Sequence, residues 1–182
     1  DVRPRVTTHM PQIIALTERL VANGHAYATA SGDVYFRVRS DDDYGKLSHI
    51  HERTLKQGAG GRVTQDEYDA KESVNDFALW KAFSPEDGDV VWDAPFGRGR
   101  PGWHIECSAM AKKHLGESFD LHGGGLDLVF PHHENEIAQS ECASGKPLAR
   151  IWMHNGFVET DKEKMSKSLG NFFTARDLFE KH

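Results

Sequence analysis

Two clusters of side chains in this chain carry enough chemistry to organise the rest. The first is Lys164-Met165-Ser166-Lys167-Ser168, followed by Leu169-Gly170-Asn171. Two ammonium groups and two hydroxyls on five consecutive residues can surround a polyphosphate, where a protein mostly positions groups and neutralises growing charge. A short charged run is also what an ordinary solvated loop looks like. The second cluster is His132-His133-Glu134-Asn135-Glu136, with Cys107 upstream. His132 and Glu136 are four apart, which on a helix places both on one face within reach of one ion. Cys107 would add a thiolate from a neighbouring helix, and a Cys, His and carboxylate set suits zinc. The competing reading is a surface i,i+4 pair beside a cysteine that packs as a small apolar residue. The metalloprotease pattern His-Glu-x-x-His is excluded, because Ile137 stands where the second His is required.

A third stretch, His122-Gly123-Gly124-Gly125-Leu126-Asp127, follows a predicted strand. Its glycines allow backbone to approach a flat base or a phosphate, and Asp127 can accept from ribose hydroxyls. A plain tight turn is the simpler alternative. No Gly-Lys-Ser/Thr ends the run, so it is not a Walker loop. Cys142, six residues after Glu136, points away from the His/Glu face and reads as structural. His133 and Glu134 read as hydrogen-bonding groups rather than ligands.

These residues need elements to hold them. The spacing predicts a helix over 8–24, capped by Thr8, with Ile13, Ile14, Leu16, Leu20 and Val21 as its apolar stripe and Asn23-Gly24 as its end. Strands are predicted at 26–28 and 34–38, joined by a turn at Ser31-Gly32-Asp33. Asp41–Asp43 and Gly58–Gly61 punctuate a polar region. Phe77-Ala78-Leu79-Trp80 and Val90-Val91-Trp92 read as apolar core anchors. Pro101 at the first turn and Gly116 after the last bracket a helix over 103–115. A short strand at 119–121 leads into the glycines. Pro131 opens a second helix through Ser140. Ile151 to His154 reads as a buried strand, extended by Phe157-Val158, and a last helix starts near Thr174. Alternating strands and helices in this half predict an α/β arrangement with a parallel sheet.

Composition sets outer limits. The chain has 182 residues, a formal charge of -6 and 38% apolar residues. That suits one or two small folded domains and gives no pointer to a nucleic-acid surface, although a local basic patch would still allow RNA. No apolar run approaches a membrane span and no secretory signal is visible. Two cysteines do not make a disulfide framework, which points to a reducing compartment. Eleven histidines, several between His104 and His133, mark a metal or phosphate site for testing. The chain starts without Met and stops inside an amphipathic pattern, so it reads as a piece of a longer polypeptide.

Gly102-Trp103-His104-Ile105-Glu106-Cys107-Ser108-Ala109-Met110, the run from His122 to Ser140, and the lysine pentapeptide together closely resemble the cysteinyl-tRNA synthetases, a class I family. Tyr44-Gly45-x-Leu47-Ser48 and Asp76-Phe77-Ala78-Leu79-Trp80-Lys81 resemble the domain inserted in that family. The stretch 130–140 is the most specific. The lysine pentapeptide is shared by many class I synthetases.

The resemblance implies an internal fragment. Residues 1–95 would form part of a smaller α+β connective insertion. Residues 96–182 would form the second half of a Rossmann-type catalytic domain. It implies zinc ligation by Cys107, His132 and Glu136, an amino-acid pocket lined by Trp103 and His122, and an ATP site with Gly124, Asp127 and Lys167. Lys164 and Lys167 would act in catalysis, with Mg2+ accompanying ATP. The implied reaction joins L-cysteine to ATP and then to the 3′ end of tRNA(Cys). The implied protein is cytoplasmic, free of membrane and monomeric at full length. Zinc would select cysteine through a bond that serine cannot make, so no editing site is needed.

Several family features are not here. No His-x-Gly-His occurs: His114-Leu115-Gly116-Glu117 resembles it superficially but lacks the last His. The family's remaining ligand cysteine belongs to that missing half, and its anticodon-reading helical domain would follow residue 182. The fragment alone is therefore expected to be inactive. Val74 replaces a proline usual in the insertion. A related ligase coupling cysteine to an amino-sugar shares the zinc and lysine-loop logic, and a non-catalytic zinc-binding module is a rival of another class.

Overall fold

The computed structural model describes residues 1–50, 71–160 and 162–181. The Gly58–Gly61 punctuation lies outside them. Helix α1 spans Met10–Ala22, with Pro11 in its first turn. It begins two residues later than the sequence suggests, because Val6–Thr8 forms a separate 3-10 turn. Thr8 does not cap it. The Thr8 hydroxyl donates to the Arg5 carbonyl instead, at 2.9 Å, and His9 occupies the cap position. Ile13, Leu16 and Leu20 are buried as the stripe predicts, whereas Val21 faces solvent.

Strands β1 (Ala26–Ala28), β2 (Val34–Phe36), β3 (Phe77–Ala82) and β4 (Gly99–Pro101) form one antiparallel sheet in that order. Val38 falls outside β2, buried in a 3-10 turn over Val38–Ser40. Leu79 and Trp80 of β3 are fully buried and join Ile13, Leu20, Phe36 and Ile105 in one core. Val90 is exposed and Trp92 only partly buried, so the 90–92 anchor is a rim rather than a centre. Pro101 ends β4 and pairs with Trp80, so it precedes the next helix instead of opening it.

Helix α2 spans Trp103–Leu115 and stops at Gly116, as read from the sequence. Ile105 and Ala109 face the shared core, which leaves Trp103 and Cys107 for another face. Strand β5 (Phe119–Gly125) and strand β6 (Ala149–Asn155) pair in parallel, with helix α3 (Glu134–Ser144) in the crossover between them. The glycines do not form a turn: Gly123, Gly124 and Gly125 lie in β5, opposite Met153, His154 and Asn155. Helix α3 starts at Glu134, not at Pro131. Phe130 sits in extended backbone (φ -138°, ψ 134°), as residues before proline prefer.

Strand β6 is not buried. Ile151 and Met153 are each 60% exposed and Leu121 of β5 is 50% exposed, leaving one apolar face of this two-stranded sheet uncovered. Phe157 and Val158 lie beyond β6 and are also exposed. The lysine pentapeptide begins in a small hairpin, β7 (Glu159–Thr160) with β8 (Glu163–Lys164). Helix α4 (Ala175–Lys181) follows. Thr174 and Asp177 cap it reciprocally: the Thr174 N–H donates to Asp177 Oδ2 and the Asp177 N–H to Thr174 Oγ1.

Candidate metal centre

Helix α3 opens with seven consecutive buried residues, Glu134 to Ser140, five of them polar. Burying so many polar groups is costly unless each has a partner or a task. Three side chains meet beside this turn. Cys107 Sγ from α2, a His132 ring nitrogen and a Glu136 carboxylate oxygen all lie within 4.8 Å of one another. His132 Nε2 is 3.7 Å from Glu136 Oε1. These atoms border a cavity of about 410 Å³ whose walls include Met110, His122 and His133.

Burial sets the protonation of the donors. Burial, with the neighbouring Glu136 and Glu106 carboxylates, pushes the Cys107 thiol up to about 12. Burial drives His104 down to about 3 and His133 down to about 4 and lowers His132 as well, in each case with help from a neighbouring imidazole. The ring nitrogens are therefore neutral and hold lone pairs. Glu136 Oε2 is buried without a hydrogen-bond partner. His122 Nε2 lies 3.0 Å from it. A soft sulfur, an imidazole and a carboxylate with an unsatisfied oxygen are the donor set that zinc takes.

A second donor set shares the same carboxylate. His122, His133 and Glu136 also present ligand atoms within 4.8 Å of one another. His133 thus offers a donor atom beside the centre as well as a hydrogen-bonding group. His104 Nδ1 approaches His132 Nδ1 at 2.9 Å, and His133 Nδ1 approaches His154 Nε2 at 2.8 Å. Such contacts from the far nitrogen orient a ligating ring. His154 was invisible as a site residue in the sequence. Its only signal is the strand alternation that sets it beside Gly124.

Trp103 is 58% exposed and stacks on His132 with ring centroids 4.6 Å apart, so it stands at the mouth of the centre. His122 reaches the cavity from β5 and packs edge-on against His133 at 4.6 Å. Gly124 has a tight steric reason of its own: a Cβ there would lie 2.7 Å from His133 Cε1. Asp127 follows in the 3-10 turn Leu126–Leu128.

The lysine loop comes to the same side. Lys164 Nζ is 4.0 Å from Asp127 Oδ2, both side chains being half exposed. Lys164 also sits 3.8 Å over the Phe157 ring, and Lys167 5.7 Å from the Phe172 ring centre. Ser166 and Asn171 tie the loop together. The Ser166 N–H donates to Asn171 Oδ1, the Asn171 amide donates to the Lys164 carbonyl, and the Leu169 N–H donates to Ser166 Oγ. Cys142 lies apart from this assembly and packs against the hydrophobic core.

Comparison with known proteins fits this arrangement. All of residues 1–182 match the family model described as the tRNA synthetases class I (C) catalytic domain. A cysteine--tRNA ligase of Maridesulfovibrio salexigens is 59% identical over 181 residues, covering 100% of this chain and 36% of that protein. Cysteine--tRNA ligases of Alkalilimnicola ehrlichii and Symbiobacterium thermophilum are 58% and 57% identical over 182 residues, again covering 100% of this chain and 38% of each relative. The chain thus spans little more than a third of the length of these relatives. It belongs to the class I (C) tRNA synthetase catalytic-domain family, with the mixed helices and strands described above.

Proposed function

We propose, with that family membership as the premise, that this chain supplies the substrate-selecting part of a cysteine–tRNA ligase. The reaction joins L-cysteine to ATP as cysteinyl-adenylate and passes the cysteinyl group to the 3′ end of tRNA(Cys). The observation that carries the reading is the meeting of Cys107, His132 and Glu136, whose ligand atoms lie within 4.8 Å of one another.

In this reading those three residues hold Zn2+. Bound there, zinc would supply a Lewis-acid centre that takes a thiolate far better than a neutral hydroxyl. Trp103 and His122 border the amino-acid pocket and limit its width. Gly124 and Asp127 belong to the nucleotide site: the glycine offers backbone on β5, and the Asp127 carboxylate accepts from ribose hydroxyls. Lys164 and Lys167 offset the charge that grows on the phosphates during adenylate formation, with Mg2+ accompanying ATP. The exposure of this loop suits a group that closes on substrate and then releases pyrophosphate.

We assign residues 1–95 to a connective insertion and residues 96–182 to the second half of a Rossmann-type domain. The parallel β5–α3–β6 unit supports this, as does the uncovered face of Leu121, Ile151 and Met153, since parallel sheets are normally covered on both sides. The protein works as a cytoplasmic monomer in this reading. Among the described residues no helix is long and apolar enough to cross a membrane.

The test is cysteine-dependent ATP–pyrophosphate exchange by the full-length gene product, followed by a choice of acceptor. Charging of tRNA(Cys) upholds the proposal. Coupling to an amino-sugar, or zinc binding without exchange, overturns it. The 182-residue chain alone is expected to show no exchange.

A further inference from the structure

We infer that Glu134 is a positioning residue for the metal centre, and that residues 44–48 set the geometry of the ligand-bearing turn through it. The inference rests on the metal reading of Cys107, His132 and Glu136. Glu134 stands between His133 and Glu136 in sequence and is 0% exposed. A carboxylate buried this deeply is costly unless its oxygens are satisfied. Its partners here are backbone amides of one distant segment. The Gly45 N–H donates to Oε1 at 3.0 Å, the Ser48 N–H to Oε2 at 2.7 Å, and the Leu47 N–H reaches Oε1 at 3.4 Å.

Three converging amides fix both oxygens of a carboxylate in direction as well as in distance. They also occupy those oxygens, so Glu134 is no ligand. The same segment grips α3 twice more. The Tyr44 hydroxyl donates to Asn135 Oδ1 at 2.6 Å, and the Lys46 ammonium pairs with Glu141. The segment itself has little freedom to adapt: Gly45 has φ +98°, and a Cβ there would lie 2.1 Å from the Ile50 carbonyl oxygen. Residues 44–48 are therefore tied to α3 at Glu134, Asn135 and Glu141. An apolar side chain would fill the space of Glu134 equally well, but it would not fix the rotation of the turn about the axis of α3. That rotation decides whether His132 and Glu136 face Cys107.

The experiment measures Zn2+ affinity by chelator competition, and the visible spectrum of the Co2+-loaded protein, for full-length wild type, Glu134→Gln, Gly45→Ala and the double variant. The amide of Glu134→Gln turns a donor toward the loop N–H groups. The expected result is a Zn2+ Kd raised about 10–100-fold, the range for losing a group that orients ligands, with shifted Co2+ bands. Gly45→Ala acts in the same direction, and the double variant is no worse than the stronger single one, because both break one clamp. A purely structural Glu134 would lower the apo melting temperature but leave the Zn2+-induced rise in melting temperature and the Co2+ spectrum as in wild type, which overturns the inference. Multiplying rather than shared effects of the two variants do so as well. If Glu134→Gln fails to fold, Tyr44→Phe decides. A several-fold weaker site upholds the clamp and wild-type affinity overturns it. A full-length wild-type protein that takes up no Zn2+ overturns the metal reading itself. Equal binding by wild type and Glu134→Gln overturns this inference alone.

Discussion

The candidate metal centre and the lysine loop lie on the same side of the molecule and are built in opposite ways. Cys107 on α2, Glu136 on α3 and His132 just before α3 are largely withdrawn from water, and the His104 imidazole braces His132 at 2.9 Å. Lys164 and Lys167 sit on an exposed segment held by its own short-range bonds and by two phenylalanine rings. The difference follows from the tasks proposed for them. Selection by a bond demands donors in place before the substrate arrives, which only a packed core provides. Charge neutralisation demands groups that approach and withdraw, which a packed core forbids.

The comparison breaks first at Cys107. Cys107→Ser is expected to reduce bound zinc to a trace and to lower kcat/KM for cysteine by about 10⁴-fold, the scale for losing a substrate-specific bond. Cys142→Ser retains its zinc. Elemental analysis of both variants checks this, and equal metal content removes Cys107 from the ligand set. Lys167→Ala comes next. Exchange in the full-length protein should fall on the order of 10²–10³-fold, the usual loss for one charge-stabilising group, while zinc content stays unchanged. A fall in zinc would mean that loop and centre are one unit. Asn171→Ala removes both ties across the loop and should lower exchange about 5–30-fold, from two hydrogen bonds of roughly 1 kcal/mol each. Phe157→Ala releases Lys164 from its ring, an exposed cation–π contact of about 0.5–1 kcal/mol. Its effect on the KM for ATP should stay within about fivefold, in either direction, without altering zinc affinity.

The convergence of Cys107, His132 and Glu136 was more legible in the sequence than what surrounds it. The i,i+4 spacing of His132 and Glu136 survives folding because both lie on one helical path, even though α3 proper begins only at Glu134. Helix α2 was legible to the residue, since Gly116 ends it and Ile105 and Ala109 mark its inner face. The glycine run was not. Three glycines signal a turn, yet parallel pairing with β6 and the ring of His133 make them a strand. Strand β6 misled in the other direction, because Ile151 and Met153 are apolar but face outward. The partners of Glu134 lie 86 to 89 residues away, beyond any local pattern. Long-range contact, rather than residue type, is what the linear text withheld.

The fit of Gly124 against His133 makes the two positions genetically interdependent. A methyl group at 124 is tolerated only where 133 has shrunk, so the pair should show epistasis. In a saturation screen, Gly124→Ala would score as damaging in this background and regain fitness beside a compact residue at 133, provided the loss of that imidazole is itself survivable. Loss of ATP binding by Gly124→Ala would then be an ambiguous phenotype, since it would report a displaced histidine as readily as a blocked nucleotide.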